Sequence, residues 1–309
     1  MEPIKKVLVG VDASTTDTTV IEFAQFVVDS SSAEQIIFVN IVKNLNIPEE
    51  VVKEFPDMVD NAIKDREQQI KKAVEKDFNP KREVETSFII ESGQSTKAVL
   101  NIANKENIDL IVIGKKISSP GSGVLAQRLA RRSSCNLLIV PEGTKPKAGK
   151  VLIPVDYSFH SKIALEQAID MAVKYSPDMQ IICQNVYNVP TGYHYSGKSY
   201  KEFAAIMKKN SERDFKRFIK NIDTRNINVV PRYSLDTNED ITTDIYDAAK
   251  DEKADIIVIG AKGLTATTAI FLGSWAEKIV NINHEYPLLV VRKKGQNAGF
   301  IDYIKSIAK

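Results

Sequence analysis

The chain has 309 residues, enough for two domains of ordinary size, and its 43% hydrophobic and 27% charged content is that of a globular protein. A formal net charge of +2 excludes both a basic stripe built for nucleic acid and an acidic tail. No apolar run reaches the length of a membrane span, and MEPIKKVLVG runs directly into a strand with no signal-peptide core. A cytoplasmic protein that meets neither nucleic acid nor membrane is expected.

In chain order, Lys6–Asp12 reads as a first buried strand, and Val20, Phe23, Ala24, Val27 and Val28 follow at helical spacing. Gln35–Val42 is a second strand. A long helix carries Ile63, Ile70, Val74 and Phe78, and Val84–Ile90 is a third strand. Val99, Ile102 and Ala103 mark another helix, before strands at Leu110–Ile113 and Leu137–Val140. The segment Glu142–Gly149, EGTKPKAG, has the composition of a linker.

Beyond the linker the pattern starts again. KKVLVGVD at residues 5–12 returns as GKVLIPVD at 149–156, DLIVIGKK at 109–116 as DIIVIGAK at 255–262, and NLLIV at 136–140 as PLLVV at 287–291. Three matches in one order indicate a duplicated domain, with boundaries expected at 1–143 and 149–309. Ile163, Ala164, Ala168 and Val173 form the expected inward stripe of the second half's first helix. Alternating strands and helices predict an α/β fold of two tandem Rossmann-like domains. Each is a five-stranded parallel sheet with helices on both faces. Ligands of such sheets sit beyond the carboxyl ends of the strands, at the point where strand order reverses. Asp12, Asp156, Gly114 and Gly260 all stand at such ends.

Gly260–Ser274, GAKGLTATTAIFLGS, joins the apolar strand 254–259 to a helix beginning at Trp275. A helix N-terminus with free N–H groups favours an anion. Gly260 and Gly263 can adopt positive φ and let a ligand approach the backbone. Gly273 frees the start of the helix, and Ser274 brings a hydroxyl to its first turn. Cys135 and Cys183 sit in apolar strands and read as core residues, and His160, His194 and His284 lack metal-ligand spacing.

These residues resemble the universal stress protein family, over both halves. Its nucleotide-binding members share an aspartate at the end of strand 1 and the pattern G-x2-G-x9-G-[S/T] after strand 4. The second half matches: Gly260, Gly263, then Gly273-Ser274. The resemblance implies the adenine nucleotide alpha hydrolase-like fold, ATP with or without Mg²⁺ as ligand, and a stress-response regulatory role. It implies that Asp156 lies beside the ribose or adenine and that Val186 meets the adenine through its backbone. Gly260, Gly263, Gly273 and Ser274 would hold ribose and phosphates, with Lys262 neutralising phosphate charge or staying solvated. Trp275 is bulkier than the family's usual residue there. The first half departs from the pattern. Ile117 stands where the second glycine would, and Val124 replaces the serine. Gly123 follows Gly114 by nine positions where Gly273 follows Gly260 by 13. No ATP is expected in the first half. Pairing of the two halves through their fifth strands is expected, with a homodimer as a further option.

Gly192–Ser199, GYHYSGKS, also fits the phosphate-loop pattern G-x4-G-K-S. Bulky Tyr193-His194-Tyr195 inside the loop and the intervening Asn188-Val189-Pro190 argue against that reading. His194 and Lys198 stand as candidates for a cap over the nucleotide, and an ordinary helix start is the plain alternative. No nucleophile, base and orienting residue converge in the sequence. This favours a regulator over a rapid hydrolase, with ATP hydrolysis expected to be slow at most. The alternatives are an interaction scaffold without nucleotide, or a weak ATPase or phosphotransferase.

Overall fold

The computed structural model describes residues 3–42, 53–117, 123–237, 239–262 and 272–293. The chain divides into two compact units, Glu2–Pro146 and Lys147–Lys309. Gly263 and the tail Gly299–Lys309 lie outside the described residues.

In the first unit, β1 (Lys6–Gly10), β2 (Gln35–Val42), β3 (Glu85–Ser92), β4 (Leu110–Lys115) and β5 (Asn136–Pro141) form a parallel sheet in the order β3-β2-β1-β4-β5. The connecting helices are α1 (Thr16–Asp29), α2 (Met58–Asp77), α3 (Ser95–Lys105) and α4 (Val124–Arg132). The second unit repeats this with β6 (Lys150–Pro154), β7 (Gln180–Tyr187), β8 (Asn228–Leu235), β9 (Ile256–Gly260) and β10 (Leu288–Val291), in the order β8-β7-β6-β9-β10. Its helices are α5 (Phe159–Tyr175), α6 (Tyr200–Lys220), α7 (Ile241–Glu252) and α8 (Ser274–Ile282). In both units the order reverses between the first and fourth strands, which opens a crevice at their carboxyl ends.

Burial explains which segments became which strands. β5 and β9 are buried along their whole length, as largely apolar runs covered on both faces must be. β3 and β8 are half-exposed, and Pro231 in β8 lacks the N–H that an interior strand needs. Cys135 and Cys183 are buried and neither is in a disulfide, and burial pushes the Cys183 thiol up to about 12.

Two sequence expectations require correction here. The stripe of α5 buries Ile163, Ala164 and Ala168 as expected, but Val173 is 43% exposed and Ala172 is fully buried in its stead. Ala172 continues the stripe from Ala168 by four residues, whereas Val173 turns away by a further 100°. The first strand also ends at Gly10, so Asp12 is in the loop beyond it and not on the ladder.

Candidate ligand site at the strand ends

Each unit builds the segment after its first strand in the same way. Val11 N–H donates to Val39 O at 2.9 Å and Val155 N–H to Gln184 O at 2.7 Å. The side chain of Asn40 then donates to Val11 O at 2.7 Å, and that of Asn185 to Val155 O at 2.8 Å. The residue after each aspartate is left-handed without being glycine: Ala13 at φ 59° and Tyr157 at φ 64°. Positive φ is uncommon for side-chain-bearing residues and is held only where surrounding bonds demand it. The sequence reading missed Asn40 and Asn185, although both halves show asparagine near the end of their second strand, in VNIV and QNVY.

From there the units diverge. In the first, Asp17 of α1 accepts from Asp12 N–H at 3.0 Å and from Ala13 N–H at 2.8 Å. In the second, Ser161 takes that position and accepts from Asp156 N–H at 3.1 Å. The Ser161 hydroxyl donates back to Asp156 Oδ1 at 2.6 Å, and Ser158 N–H donates to the same oxygen at 3.1 Å. Ser158 also caps α5, accepting from Ser161 N–H at 3.2 Å. Asp156 is thereby fixed against the helix start. Tyr157 reaches across to α6, where its hydroxyl lies 3.0 Å from Ser211 Oγ, and Ser211 Oγ donates to the Asn185 side-chain oxygen.

Asp17 is almost fully buried, and burial outweighs its two N–H donors, so its carboxyl is pushed up to about 6 from 3.8. A raised carboxyl binds its proton more tightly in the native than in the unfolded chain. Stability therefore falls as pH rises from about 4 to about 6, and the loss persists at neutral pH. Asp17→Asn is expected to stabilise the chain by about 1 kcal/mol at pH 7.5, where one N–H acceptor is kept and the charge is gone. The gain vanishes at pH 4, and thermal unfolding at the two pH values measures it.

At the fourth strand the two glycines meet different neighbours. A Cβ on Gly260 would lie 2.6 Å from His160 O and 2.7 Å from His160 C, so β9 touches the backbone of α5. A Cβ on Gly114 would meet the side chains of Thr16 and Val20 at 2.6 and 2.9 Å. This corrects the expectation of positive φ at Gly260: that residue is not left-handed, and its lack of a side chain serves close packing. Gly273 is at φ −60°, open to any residue, while its counterpart Gly123 is at φ 92°. Gly273 N–H donates to Ala261 O at 2.9 Å, tying the start of α8 to the end of β9. Ser274 is the first, exposed residue of α8, whose first-turn N–H groups have no intrahelical acceptor. Val186 is half-buried near the end of β7, in register with Ser234 and beyond the last β6–β7 pair at Pro154 and Gln184.

The first unit's crevice is a cleft of about 120 Å³. Asp12, Ile41, Gly114 and Lys116 all line it, and they are the repeat counterparts of Asp156, Val186, Gly260 and Lys262. Lys116 Nζ bridges Asp12 Oδ2 at 2.8 Å. Burial raises the Asp12 carboxyl, but bonds from Lys116 and Ser14 outweigh it and leave it below its usual range. Asp17 and Glu142 are also within electrostatic reach of Lys116.

The second unit reverses this balance. Register pairs Gly114 with Val140 and Gly260 with Val291, so Pro141 and Glu142 correspond to Arg292 and Lys293. The first unit has three carboxylates (Asp12, Asp17, Glu142) against Lys115 and Lys116, a formal −1. The second has three cations (Lys262, Arg292, Lys293) against Asp156, a formal +2. Lys262 is 9% exposed and makes no hydrogen bond or ion pair among the described residues. Burial and the neighbouring Arg292 push its ammonium pKa down. His160 is held below its usual value by burial, Lys262 and Arg292, with Asp156 opposing. Arg292 is 7% exposed.

The proposed cap residues lie between β7 and α6. His194 lies in a short 3₁₀ turn, Tyr193–Ser196, with its ring 4.3 Å from that of Tyr195. Neither His194 nor Lys198 hydrogen-bonds or pairs with Asp156, Lys262 or Ser274 among the described residues. Ser199 completes a capping box with Glu202 at the start of α6. The hydroxyl that a phosphate loop would turn to a metal is thus committed to the helix start. No group of three or more His, Cys, Asp or Glu suited to a metal occurs among the described residues, nor does a helix long and apolar enough to cross a membrane.

The fold defines a duplicated parallel-sheet protein whose strand order reverses between the first and fourth strands of each copy. The model of the universal stress protein family matches residues 3–141 and again residues 147–292. The chain belongs to the universal stress protein family. A universal stress protein of Methanocaldococcus jannaschii is 28% identical over 146 residues, which cover 47% of this chain and 82% of that protein. The crystal structure of a universal stress protein from Archaeoglobus fulgidus is similar over 94% of this chain and 97% of that one, with a TM-score of 0.60 at 16% identity. A universal stress protein solved in complex with cAMP aligns with 45% of this chain and 98% of its own, with a TM-score of 0.30 at 20% identity.

Proposed function

We propose that this chain is a regulatory protein that binds an adenine nucleotide, ATP in the leading reading, in its second unit only. The observation that carries this is Lys262. A buried ammonium that makes no hydrogen bond or ion pair among the described residues, within electrostatic reach of a second buried cation, is unfavourable until an anion arrives. The phosphates of a nucleotide supply that anion. In this reading Ser274, Gly273 and the loop glycines hold the phosphates together with Lys262. Asp156 and the backbone at Val186 take the ribose and base. Mg²⁺ would be held chiefly by phosphate oxygens, with Asp156 as a candidate oxygen donor from the chain. The first unit is left out on two grounds. Its cleft is far below the roughly 300 Å³ at which ligand pockets begin, and the lysine that would meet phosphate is already neutralised.

Gently purified protein is expected to carry a nucleotide that mass spectrometry identifies. Lys262→Met should bind ATP about 10-fold more weakly yet unfold no earlier than the parent in the absence of ligand, since an unpaired buried charge has gone. Protein that is empty as isolated and has no measurable ATP affinity would leave the scaffold reading in its place.

A further inference from the structure

The long helices α2 and α6 follow the second strand of their units and occupy equivalent places in the repeat, yet they carry different charge. α2 has five cations against five carboxylates. α6 has seven cations against three carboxylates. The near balance of the whole chain, 42 basic and 40 acidic residues, conceals this separation. In α6 the surplus is also ordered. Lys209, Arg213, Lys216 and Lys220 recur at steps of four, three and four, which places them in one sector of about 60° and in a row about 16 Å long. All four are exposed, and Ser211 and Phe215 are buried on the opposite side of the helix. In α2 the buried pair Ile70 and Val74 has the same spacing. The α2 positions at the phase of Lys209, Arg213 and Lys216 hold Gln68, Lys72 and Glu75.

The row is firmly mounted. The Tyr157 hydroxyl lies 3.0 Å from both Ser211 O and Ser211 Oγ, and its ring is 5.6 Å from that of Phe218 and 6.5 Å from that of Phe215. Asp214 pairs with Arg213 and Arg217 at 3.4 and 3.5 Å. Lys209, Lys216 and Lys220 make no ion pair among the described residues. The helix dipole favours cations in the last turn and so accounts for Arg217 and Lys220. It does not reach Arg213 or Lys209, two and three turns from Lys220. A solvated face needs no such order, as the mixed face of α2 shows. Like charges aligned along a helix repel one another, and an opposing row of carboxylates relieves that cost.

Carboxylates on α6 also decide the kind of partner. Glu202 stands on the same line, seven residues before Lys209, and Glu212 borders the row. A continuous field of phosphates, as on a lipid surface or a nucleic acid, would meet both with repulsion. A peptide sets its carboxylates one by one and can match the row while avoiding them. We propose that this face of α6 is a docking surface for an acidic helical segment of a partner protein, with Asp or Glu repeating at steps of three and four along one side. The inference is independent of which ligand the second unit's crevice holds.

The test is fluorescence anisotropy of two labelled helical peptides titrated with the full chain. One carries glutamates at i, i+4, i+7 and i+11; the other has the same composition with its glutamates spread around the helix. The parent is expected to bind the patterned peptide about 5-fold more tightly than the spread one. Lys209→Glu with Lys216→Glu should weaken the patterned peptide by about 10-fold or more. Lys72→Glu with Lys76→Glu on α2 changes the net charge equally and should alter binding by less than about 2-fold. All four substituted side chains are exposed, so thermal unfolding of both variants should match the parent. Raising salt from about 50 to about 300 mM should weaken the parent complex and narrow the gap between the peptides. Equal binding of the two peptides, no binding of either, or equal losses in the two double variants would overturn the proposal. So would phosphatidylserine vesicles or duplex RNA that bind the parent more tightly than the patterned peptide and lose that binding in Lys209→Glu with Lys216→Glu, because the row would then serve a phosphate surface.

Discussion

Gly260→Val is expected to destabilise the second unit by about 3 kcal/mol or more and to abolish ligand binding. The added carbon would sit 2.6 Å from a backbone oxygen and 2.7 Å from a backbone carbon of His160. Backbone atoms cannot rotate away, so either β9 leaves the sheet or α5 lifts from it. Both movements displace Lys262 and Asp156. Gly114→Val is the matched control. Its first contacts are the side chains of Thr16 and Val20, which can shift, so the cost should be smaller. Denaturant unfolding of the two variants measures the difference, and equal costs would mean that the contact with His160 gives way easily.

Asn185→Leu should have the next largest effect, about 3 kcal/mol. The amide donates to Val155 O, and its oxygen accepts from the Ser211 hydroxyl, which also contacts Tyr157. Leucine matches the volume but strands the Val155 carbonyl and removes one partner of the Ser211 hydroxyl, and an unsatisfied buried group costs about 1–3 kcal/mol. Because Val155 and Tyr157 flank Asp156, nucleotide affinity should fall along with stability. Asn40→Leu in the first unit should show a stability loss with no change in nucleotide affinity. Loss of affinity in both variants would argue against a site confined to the second unit.

The fold was legible because its signals are periodic. Buried parallel strands are unbroken apolar runs, and the duplication repeats them in order. The misplaced Val173 marks the limit of that reading: one residue of helical phase separates it from Ala172, and valine is the more apolar of the two. The glycine pattern pointed to the end of β9, but positive φ is not the reason for glycine at Gly260. Sequence shows that a side chain is missing, not whether a torsion or a neighbour requires it. Arg292 was invisible for a different reason. It is 30 residues from Lys262 in sequence and meets it only through the β9–β10 register. Asn40 and Asn185 were readable in the repeat, but a polar residue in a strand announces no partner until the neighbouring backbone is in view.

The reversal of charge between the units has a bearing on how such a protein diverges after duplication. Asp17, Pro141 and Glu142 became Ser161, Arg292 and Lys293 in the other copy, or the reverse. Only Pro141 belongs to a strand, as its final residue, and Asp17 and Ser161 lie on the first turn of a helix. None is in the apolar interior of a sheet. Substitution at such a rim leaves the folding problem untouched while changing the sign of the field that an approaching molecule meets. A tandem architecture therefore permits one copy to explore new chemical preferences while its twin preserves an older one, and both remain instances of a single scaffold.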